Sequence, residues 1–351
     1  MIASVAFRNF KALRNTTLDL APFNLVIGPN GSGKTSLIQA LVRLRDLALS
    51  PSATVSPFSP RAEALELSFR FAPPHADVEA RISCSAELVW DLLQVKSPSP
   101  ERWAAVRDDL ARLRSYVFDH TAMAAGSPLS EGGQLAADGA NLAAVLGQWQ
   151  RSQPAVFGQA ETEFCRLLPE FIRLEIRQKR DGRQSITAVL GDGSVVPAEN
   201  LSQGTFYSLA MVALACDPQP PPVLCIEEMD RGIHPRMLRE VRDLLYRLSY
   251  PASVGASAEG AGGSPDRTPV QIIATTHSPY LLDLFREHPE EVVIAQKQGQ
   301  EARFERLADR PDLPELLQEG TLGDMWFSGI LGGVPDEDSE SRWNDKPQPG
   351  R

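Results

Sequence analysis

The sequence predicts an α/β fold with a mixed β-sheet core, an antiparallel β subdomain and a helical insertion. Three observations support this. Residues 23–42 read as an apolar strand, a glycine-rich loop and an amphipathic helix. Two later apolar runs, residues 223–228 and 270–279, end in polar side chains, as buried parallel strands do at their carboxyl ends. Nearly alternating apolar residues at 64–71 and 80–90 indicate antiparallel strands.

The loop after the first strand has the pattern G-x-x-x-x-G-K-[ST] at residues 28–35, which predicts a phosphate-binding loop. Its glycines permit a tight turn that aims backbone N–H groups at phosphate oxygens, and the following helix adds its positive dipole end. We expect Lys34 to reach the β- and γ-phosphates of a nucleotide and the Thr35 hydroxyl to bind Mg²⁺. The residues predicted to contact the nucleotide here are Asn30, Gly31, Ser32, Gly33, Lys34, Thr35 and Ser36.

A second anion-binding site is predicted at the start of the apolar helix that includes residues 206–214. Ser202 has the side chain of a good N-cap. Gly204 in the first turn lowers helix propensity but lets a phosphate approach closely. A helix N-terminus with these residues can bind an anion, and a plain helix cap is the alternative interpretation of this segment alone.

Acidic residues follow the apolar run Val223–Ile226 directly. Ligands of open α/β sheets collect at the carboxyl ends of strands. Glu227 is therefore predicted to hold Mg²⁺ through water, and Glu228 to polarise an attacking water. The alternative is a solvated strand end. His277 ends the third apolar run, at the same kind of position.

In this order, the four segments resemble the ATP-binding-cassette (ABC) superfamily, specifically its RecF/SMC-like branch of ATPases. Gly28–Ser36 matches the Walker A loop. Leu201–Thr205 matches the signature loop, with Gln203 where transporters usually have Gly. Val223–Glu228 matches Walker B, with Glu227 in the usual Asp position.

Three shorter stretches extend the resemblance. Residues 227–235 look like the "EEPEnglHP" pattern of this branch, which makes residues 231–234 the D-loop and His277 the switch histidine. Phe7–Leu13 resembles the first strand and turn of the branch, and Leu322–Gly329 resembles a C-terminal segment of some members.

The resemblance implies a P-loop NTPase of the ABC-ATPase type that binds ATP and Mg²⁺ and hydrolyses ATP. Each ATP would lie between the Walker A loop of one protomer and the signature loop of the other, in an ATP-dependent homodimer or a higher homo-oligomer. Glu228, His277 and Lys34 would be the catalytic residues, with Ser202 and Gly204 contacting the nucleotide across the dimer. The Q-loop glutamine would lie within residues 91–170, at a position that the sequence does not give.

The predicted domains follow these motifs. We expect residues 1–90 to form the N-terminal half of the ATPase head, 91–170 a mostly helical insertion, 171–334 the C-terminal half and 335–351 a disordered tail. The insertion has no long heptad run, unlike the coiled-coil arms of SMC proteins. Residues 51–60 read as a loop and 251–268 as disordered, from their Pro, Ser, Gly and Ala content. Helices are expected at 101–114, 141–150 and 160–168, and further strands at 171–178, 185–190, 194–197, 292–295 and 302–307.

Bulk properties restrict the partners. The net charge of −10 gives no global attraction to nucleic acid. The arginines within residues 102–114 lie beside Asp108 and Asp109 and indicate a solvated helix face; the alternative is a local basic patch, which keeps nucleic acid a candidate partner. The four cysteines have no metal-binding spacing. No apolar stretch is long enough to span a membrane and the start lacks a secretory pattern, so we expect a cytoplasmic chain without membrane contact.

The resemblance favours an ATPase of DNA repair, recombination or defence against phage and mobile elements. Residues 285–351 are too short for the TOPRIM nuclease of OLD relatives, so a nuclease or other effector would be a separate partner. Two alternatives remain: an ATP-dependent scaffold that does not hydrolyse, and the ATPase subunit of a membrane transporter.

Overall fold

A computed structural model describes residues 1–50, 65–84, 91–251, 268–299 and 301–332. The predictions for residues 51–60, for 335–351 and for all but the two end residues of 251–268 lie outside the described residues.

The described strands and helices follow the predicted motifs along the chain. The strands are β1 (Ile2–Phe10), β2 (Leu13–Asp19), β3 (Phe23–Ile27), β4 (Leu65–Phe71), β5 (Glu79–Cys84), β6 (Asp91–Lys96), β7 (Arg114–Tyr116), β8 (Ser127–Pro128), β9 (Phe171–Gln178), β10 (Arg183–Leu190), β11 (Val195–Pro197), β12 (Val223–Ile226), β13 (Gln271–Thr276), β14 (Val292–Gln298) and β15 (Glu301–Arg306). The helices are α1 (Lys34–Ala48), α2 (Pro100–Ala111), α3 (His120–Ala124), α4 (Leu142–Ser152), α5 (Pro154–Leu167), α6 (Gln203–Cys216), α7 (Pro235–Ser249), α8 (Pro279–Asp283), α9 (Leu313–Glu319) and α10 (Leu322–Phe327).

The described part of the chain divides into two compact units. The terminal unit comprises the described residues of Ile2–Trp103 and His277–Arg351. The central unit comprises Met1 and the described residues of Ala104–Thr276.

In the terminal unit, the described strands form a mixed sheet in the order β6-β5-β4-β1-β2-β15-β14-β3. The pairs from β6 to β2 are antiparallel, and β14 runs parallel to β3. Every residue of β3 is buried, which places the phosphate loop at the end of a strand in the core. Aromatic pairs consolidate this core, with ring centroids 5.4 Å apart for Phe23 and Phe285 and 5.7 Å apart for Phe7 and Phe304.

In the central unit, β13, β12 and β7 lie side by side and parallel. A separate antiparallel sheet has β10 at its centre, with β9 along one edge and both β8 and β11 along the other. The β9–β10 hairpin turns at Gly182, whose φ of 83° suits glycine. The unit therefore contains both a parallel and an antiparallel element, and the predicted fold class is confirmed.

Helix α6 is the buried helix of the central unit. All its residues from Thr205 to Cys216 are buried, as expected of a helix that is apolar on every side. It packs against α3, α4, α5 and α7. This burial fixes the helix start at Ser202, because the helix has no free face about which it could rotate.

An ion-pair network joins α5 to α7. The Oε1 atom of Glu163 accepts a hydrogen bond from Arg247 Nη1 at 2.9 Å, and its Oε2 atom accepts one from Arg166 Nε at 2.9 Å. Arg166 also pairs with Glu240. Burial acts to raise the pKa of Glu163, but Arg247 and Arg166 outweigh it and hold that pKa below its ordinary value.

Several elements differ from the sequence predictions. The helix predicted over 101–114 ends at Ala111, and Arg114 begins strand β7. Strand β6 also lies in the stretch 91–170 that we expected to be mostly helical. Strand β7 has three residues, which are too few to show the alternating pattern of a strand in the sequence. It forms because it pairs with β12. Helix α5 begins at Pro154, well before the start predicted at residue 160, and residues 85–90 of the strand predicted over 80–90 lie outside the described residues. The other predicted strands and helices are confirmed to within a few residues at their ends.

Within the described ranges, no helix combines the length and apolar character needed to cross a bilayer.

Candidate functional site

The phosphate loop in the terminal unit has the predicted strand–loop–helix geometry, from β3 to α1. Gly31 and Gly33 have φ angles of 74° and 97°, which few side-chain-bearing residues adopt. A Cβ at Gly28 would lie 2.4 Å from the carbonyl oxygen of Ala295 and 2.4 Å from Ser32 Oγ. The loop is thus wound tightly against β14, and glycine is required at position 28.

Lys34 is buried at the start of α1. Its Nζ atom donates hydrogen bonds to the carbonyl oxygens of Gly28, at 2.7 Å, and Pro29, at 3.0 Å. These bonds fold the side chain back over the loop and hold the ammonium group beside the loop backbone. A positive charge fixed at this point can bind phosphate oxygens.

The other loop residues predicted to contact the nucleotide differ in their solvent exposure. Asn30, Gly31 and Thr35 are exposed. Ser32 is 1% exposed, and among the described residues its Oγ atom has no hydrogen-bond partner. A buried hydroxyl without a partner is costly, so this loop fits a ligand that brings hydrogen-bonding oxygens.

Lys297 is a basic residue at this loop that sequence reasoning missed. Its Nζ atom lies 3.4 Å from the position that a Cβ on Gly31 would take. The signal available in the sequence was that the segment 292–298 continues beyond its apolar residues. In the structure β14 pairs with β3 up to Ile294 and then continues past it along the loop.

His277 belongs to the terminal unit, as the phosphate loop does. Its side chain is exposed, and the next residue, Ser278, is the N-cap of α8. Ser278 Oγ accepts a hydrogen bond from the backbone N–H of Leu281 at 3.3 Å.

The two predicted acids lie at the carboxyl end of β12 in the central unit. Glu227 is half-buried, and its N–H donates to the carbonyl oxygen of Tyr116 at 2.9 Å. Glu228 is exposed and has a φ angle of 50°, which is unusual for a residue with a side chain. Backbone strain of this kind persists only where surrounding contacts impose it, and it is concentrated at functional sites.

Two threonines of β13 impose the conformation of this turn. Thr275 Oγ1 accepts a hydrogen bond from the N–H of Glu228 at 2.9 Å, and the carbonyl oxygen of Thr275 accepts one from Met229 at 3.0 Å. Thr276 Oγ1 donates to Asp230 Oδ1 at 2.6 Å. The sequence showed small polar residues before His277 but did not indicate that they hold the acidic turn.

The signature segment has the predicted helix cap. Ser202 Oγ accepts a hydrogen bond from the N–H of Thr205 at 3.1 Å, which confirms the N-cap. Gly204 has a second role, because a Cβ there would lie 2.5 Å from the carbonyl oxygen of Gly232 in the turn after Glu228. Within the central unit, the structure therefore places the start of α6 against the acidic turn.

Oxygen donors are what Mg²⁺ prefers, and Thr35 and Glu227 supply a hydroxyl and a carboxylate. Over the described ranges there is no cluster of three or more His, Cys, Asp or Glu side chains that could hold a metal on its own. Mg²⁺ usually keeps several waters and takes one or two protein oxygens, so the Thr35 hydroxyl in the terminal unit and the Glu227 carboxylate in the central unit are each a suitable donor by themselves.

Comparison with solved structures identifies the fold. The chain is similar to an SMC head bound to the C-winged helix domain of ScpA, with 15% identity and a TM-score of 0.58, over 87% of this chain and 96% of the other. It is equally similar to an SMC head with an extended coiled coil from Pyrococcus furiosus, bound to the C-terminal domain of ScpA, with 14% identity, a TM-score of 0.58 and coverage of 91% and 99%. An SMC head with a coiled coil and joint from Pyrococcus yayanosii matches with 10% identity, a TM-score of 0.55 and the same coverage.

Comparison with curated proteins found no significant match. A family model described as "AAA domain, putative AbiEii toxin, Type IV TA system" matches residues 23–283, which extend from β3 through the phosphate loop, the signature segment and the acidic turn to α8. The chain therefore belongs to this AAA family, and its fold is that of the RecF/SMC-like ABC-type ATPases.

Proposed function

We propose that the chain is an ATP hydrolase whose nucleotide state controls the association of two protomers. The observation that carries this proposal is the phosphate loop, where Lys34 is held by two loop carbonyls beside the partnerless buried hydroxyl of Ser32. The polyphosphate of ATP is a ligand that supplies the oxygens which such a loop lacks.

Each predicted catalytic residue has one task in this reaction. Lys34 stabilises negative charge that develops on the transferred phosphoryl group. Glu228 orients the attacking water and accepts its proton. His277 donates a hydrogen bond to the γ-phosphate and so distinguishes ATP from ADP. Asn30, Gly31, Ser32, Gly33, Thr35 and Ser36 bind the phosphates.

Mg²⁺, when bound, neutralises phosphate charge and helps to fix the geometry of the leaving group. Thr35 and Glu227 are the residues that we propose to hold it, Glu227 through water.

The signature segment serves the ATP of a second protomer in this proposal. The Walker A loop already surrounds phosphate with its own helix start, whereas the start of α6 at Ser202 is exposed and carries a second anion-binding end. An isologous dimer would then contain two equivalent sites, each completed by Ser202 and Gly204 of the other protomer. The γ-phosphate favours the closed dimer because it contacts both protomers, and hydrolysis removes that contact.

We propose a cellular role in DNA repair, recombination or defence against phage and mobile elements, carried out with a separate effector such as a nuclease. The family description, which names a type IV toxin–antitoxin system, supports the defence interpretation. Two of the similar SMC heads were solved with a bound ScpA domain, which is consistent with a head of this fold acting through a partner.

The proposal is tested with two variants and two matched controls. Lys34→Ala should abolish ATP binding in an equilibrium titration. Glu228→Gln should bind ATP like the wild type but release phosphate at least about a hundredfold more slowly, because it loses a contact of the transition state alone. Lys179→Ala and Glu170→Gln remove the same charges from exposed positions and should match the wild type. Wild-type turnover in Glu228→Gln would contradict the assignment of Glu228 as the catalytic base.

A further inference from the structure

The first turn of α6 carries a hydrogen-bond relay that none of the predicted roles uses. Gln203 and Tyr207 are four residues apart and so share one face of the helix. Gln203 Nε2 donates to the phenol oxygen of Tyr207 at 3.1 Å, and the Tyr207 hydroxyl donates to the carbonyl oxygen of Phe118 at 3.1 Å. Tyr207 is 2% exposed, so losing a partner of its hydroxyl leaves a largely buried polar group with one hydrogen bond fewer.

The far end of this relay reaches the strand beside Walker B. Phe118 follows β7 by two residues, and its ring stacks on that of Tyr116 with centroids 5.4 Å apart. The carbonyl oxygen of Tyr116 accepts a hydrogen bond from the N–H of Glu227, the residue before the proposed catalytic base. The relay thus connects the start of α6 with the backbone that supports Glu227.

The near end of the relay touches the turn that follows Glu228. Gly232 has a φ of 66°, and a Cβ there would lie 2.9 Å from Gln203 Cγ and 3.3 Å from Tyr207 Cδ2. The same turn begins at Glu228, whose carbonyl oxygen accepts the N–H of Arg231 at 2.8 Å. Tyr207 and Glu228 also line one small cavity, together with Phe118 and Arg231 among others.

We propose that Tyr207 is a positioning residue: its hydroxyl, held between the Gln203 amide and the Phe118 carbonyl, fixes the signature segment against the turn that carries Glu228. Gln203, which stands where transporters have Gly, is the side chain through which this chain makes the connection. Loss of the hydroxyl frees the Gln203 side chain and lets Gly232 move. The carboxylate of Glu228 then loses its fixed placement while the phosphate loop is unchanged.

The experiment compares Tyr207→Phe with Tyr246→Phe, which removes the same oxygen from α7. Tyr207→Phe should bind ATP like the wild type and keep its KM within about twofold, but lower kcat about tenfold or more, because displacing a catalytic group by a fraction of an ångström is enough. Gln203→Ala should have the same effect, and the double variant should be no slower than the slower single variant, since both act through one relay. Tyr246→Phe should retain wild-type kcat.

This inference rests on the proposed ATPase function, so a second readout does not need hydrolysis. Amide hydrogen exchange of the peptide covering 228–234 should accelerate in Tyr207→Phe, with no change in α4. Wild-type kcat in Tyr207→Phe, additive losses in the double variant, or unchanged exchange in the turn would each overturn the inference. Wild-type protein that does not hydrolyse ATP would instead contradict the proposed function, and exchange in the turn would then decide the inference alone.

Discussion

Replacement of Gly204 by alanine distinguishes local helix propensity from tertiary packing. Gly204 is the second residue of α6, and by propensity alone alanine would stabilise the helix by up to about 1 kcal/mol. The added methyl group would lie 2.5 Å from the carbonyl oxygen of Gly232, a backbone atom that cannot rotate away. Overpacking of this kind costs about 1–3 kcal/mol, so we expect a net destabilisation of about 1 kcal/mol.

Gly158 provides a matched control in the same unit. It lies inside α5, and nothing is within 4 Å of the position that its Cβ would take. Gly158→Ala should therefore stabilise by up to about 1 kcal/mol. Thermal unfolding followed by circular dichroism should place the two variants on opposite sides of the wild type, each shifted by about 2–4 °C. Equal stabilisation by Gly204→Ala and Gly158→Ala would refute the contact between α6 and the acidic turn.

Three further predictions concern the loop, the acidic turn and the α5–α7 network. Gly28→Ala should weaken ATP binding at least about tenfold in an equilibrium titration, because its methyl group would lie 2.4 Å from a backbone oxygen, whereas Gly191→Ala enters open space and should bind normally. Thr275→Val should lower the unfolding free energy by about 1 kcal/mol and slow phosphate release, because it removes the half-buried hydrogen bond to the N–H of Glu228. Thr275→Ser should restore both, and equal losses in the two variants would contradict the role of the hydroxyl. Glu163→Gln should lower unfolding free energy by about 2 kcal/mol at neutral pH. Because the folded-state pKa of Glu163 is depressed, its contribution to stability is complete above the unfolded pKa of 4.5 and is lost as pH falls through the folded pKa. Urea denaturation at several pH values measures this, and a pH-independent difference between Glu163→Gln and the wild type would contradict the contribution of the Glu163 carboxylate.

The parts of the site that depend on local chemistry were predictable from the sequence. A phosphate loop is a run of glycines between a strand and a helix, and the Ser202 cap is set by residues three apart, so both leave a short-range pattern. The apolar run ending in Glu227 and Glu228 predicted a buried strand with acids at its end, which is where β12 stops. The fold class followed from the same signals.

The supports of the site were not predictable, because they join residues distant in the chain. The Tyr207 hydroxyl bonds a carbonyl 89 residues away, and the Thr275 hydroxyl bonds an N–H 47 residues away. In the sequence, Gly204 looks like a glycine that lets a phosphate approach closely. Only the fold brings the carbonyl oxygen of Gly232 against it. No periodicity in a single sequence encodes such contacts.

The central claim is that the chain hydrolyses ATP at sites which two protomers share. Lys34→Ala and Ser202→Arg should each be inactive alone, since every site of either homodimer carries a lesion. A mixed dimer of the two variants has one site with both lesions and one site with neither, so purified mixed dimers should recover about half of the wild-type phosphate release. Differential affinity tags allow these dimers to be isolated, and wild-type/Lys34→Ala mixed dimers control for a requirement that both sites fire together. Recovery in the Lys34→Ala/Ser202→Arg dimers is the result we expect, whereas background activity in them beside active control dimers would contradict the shared site.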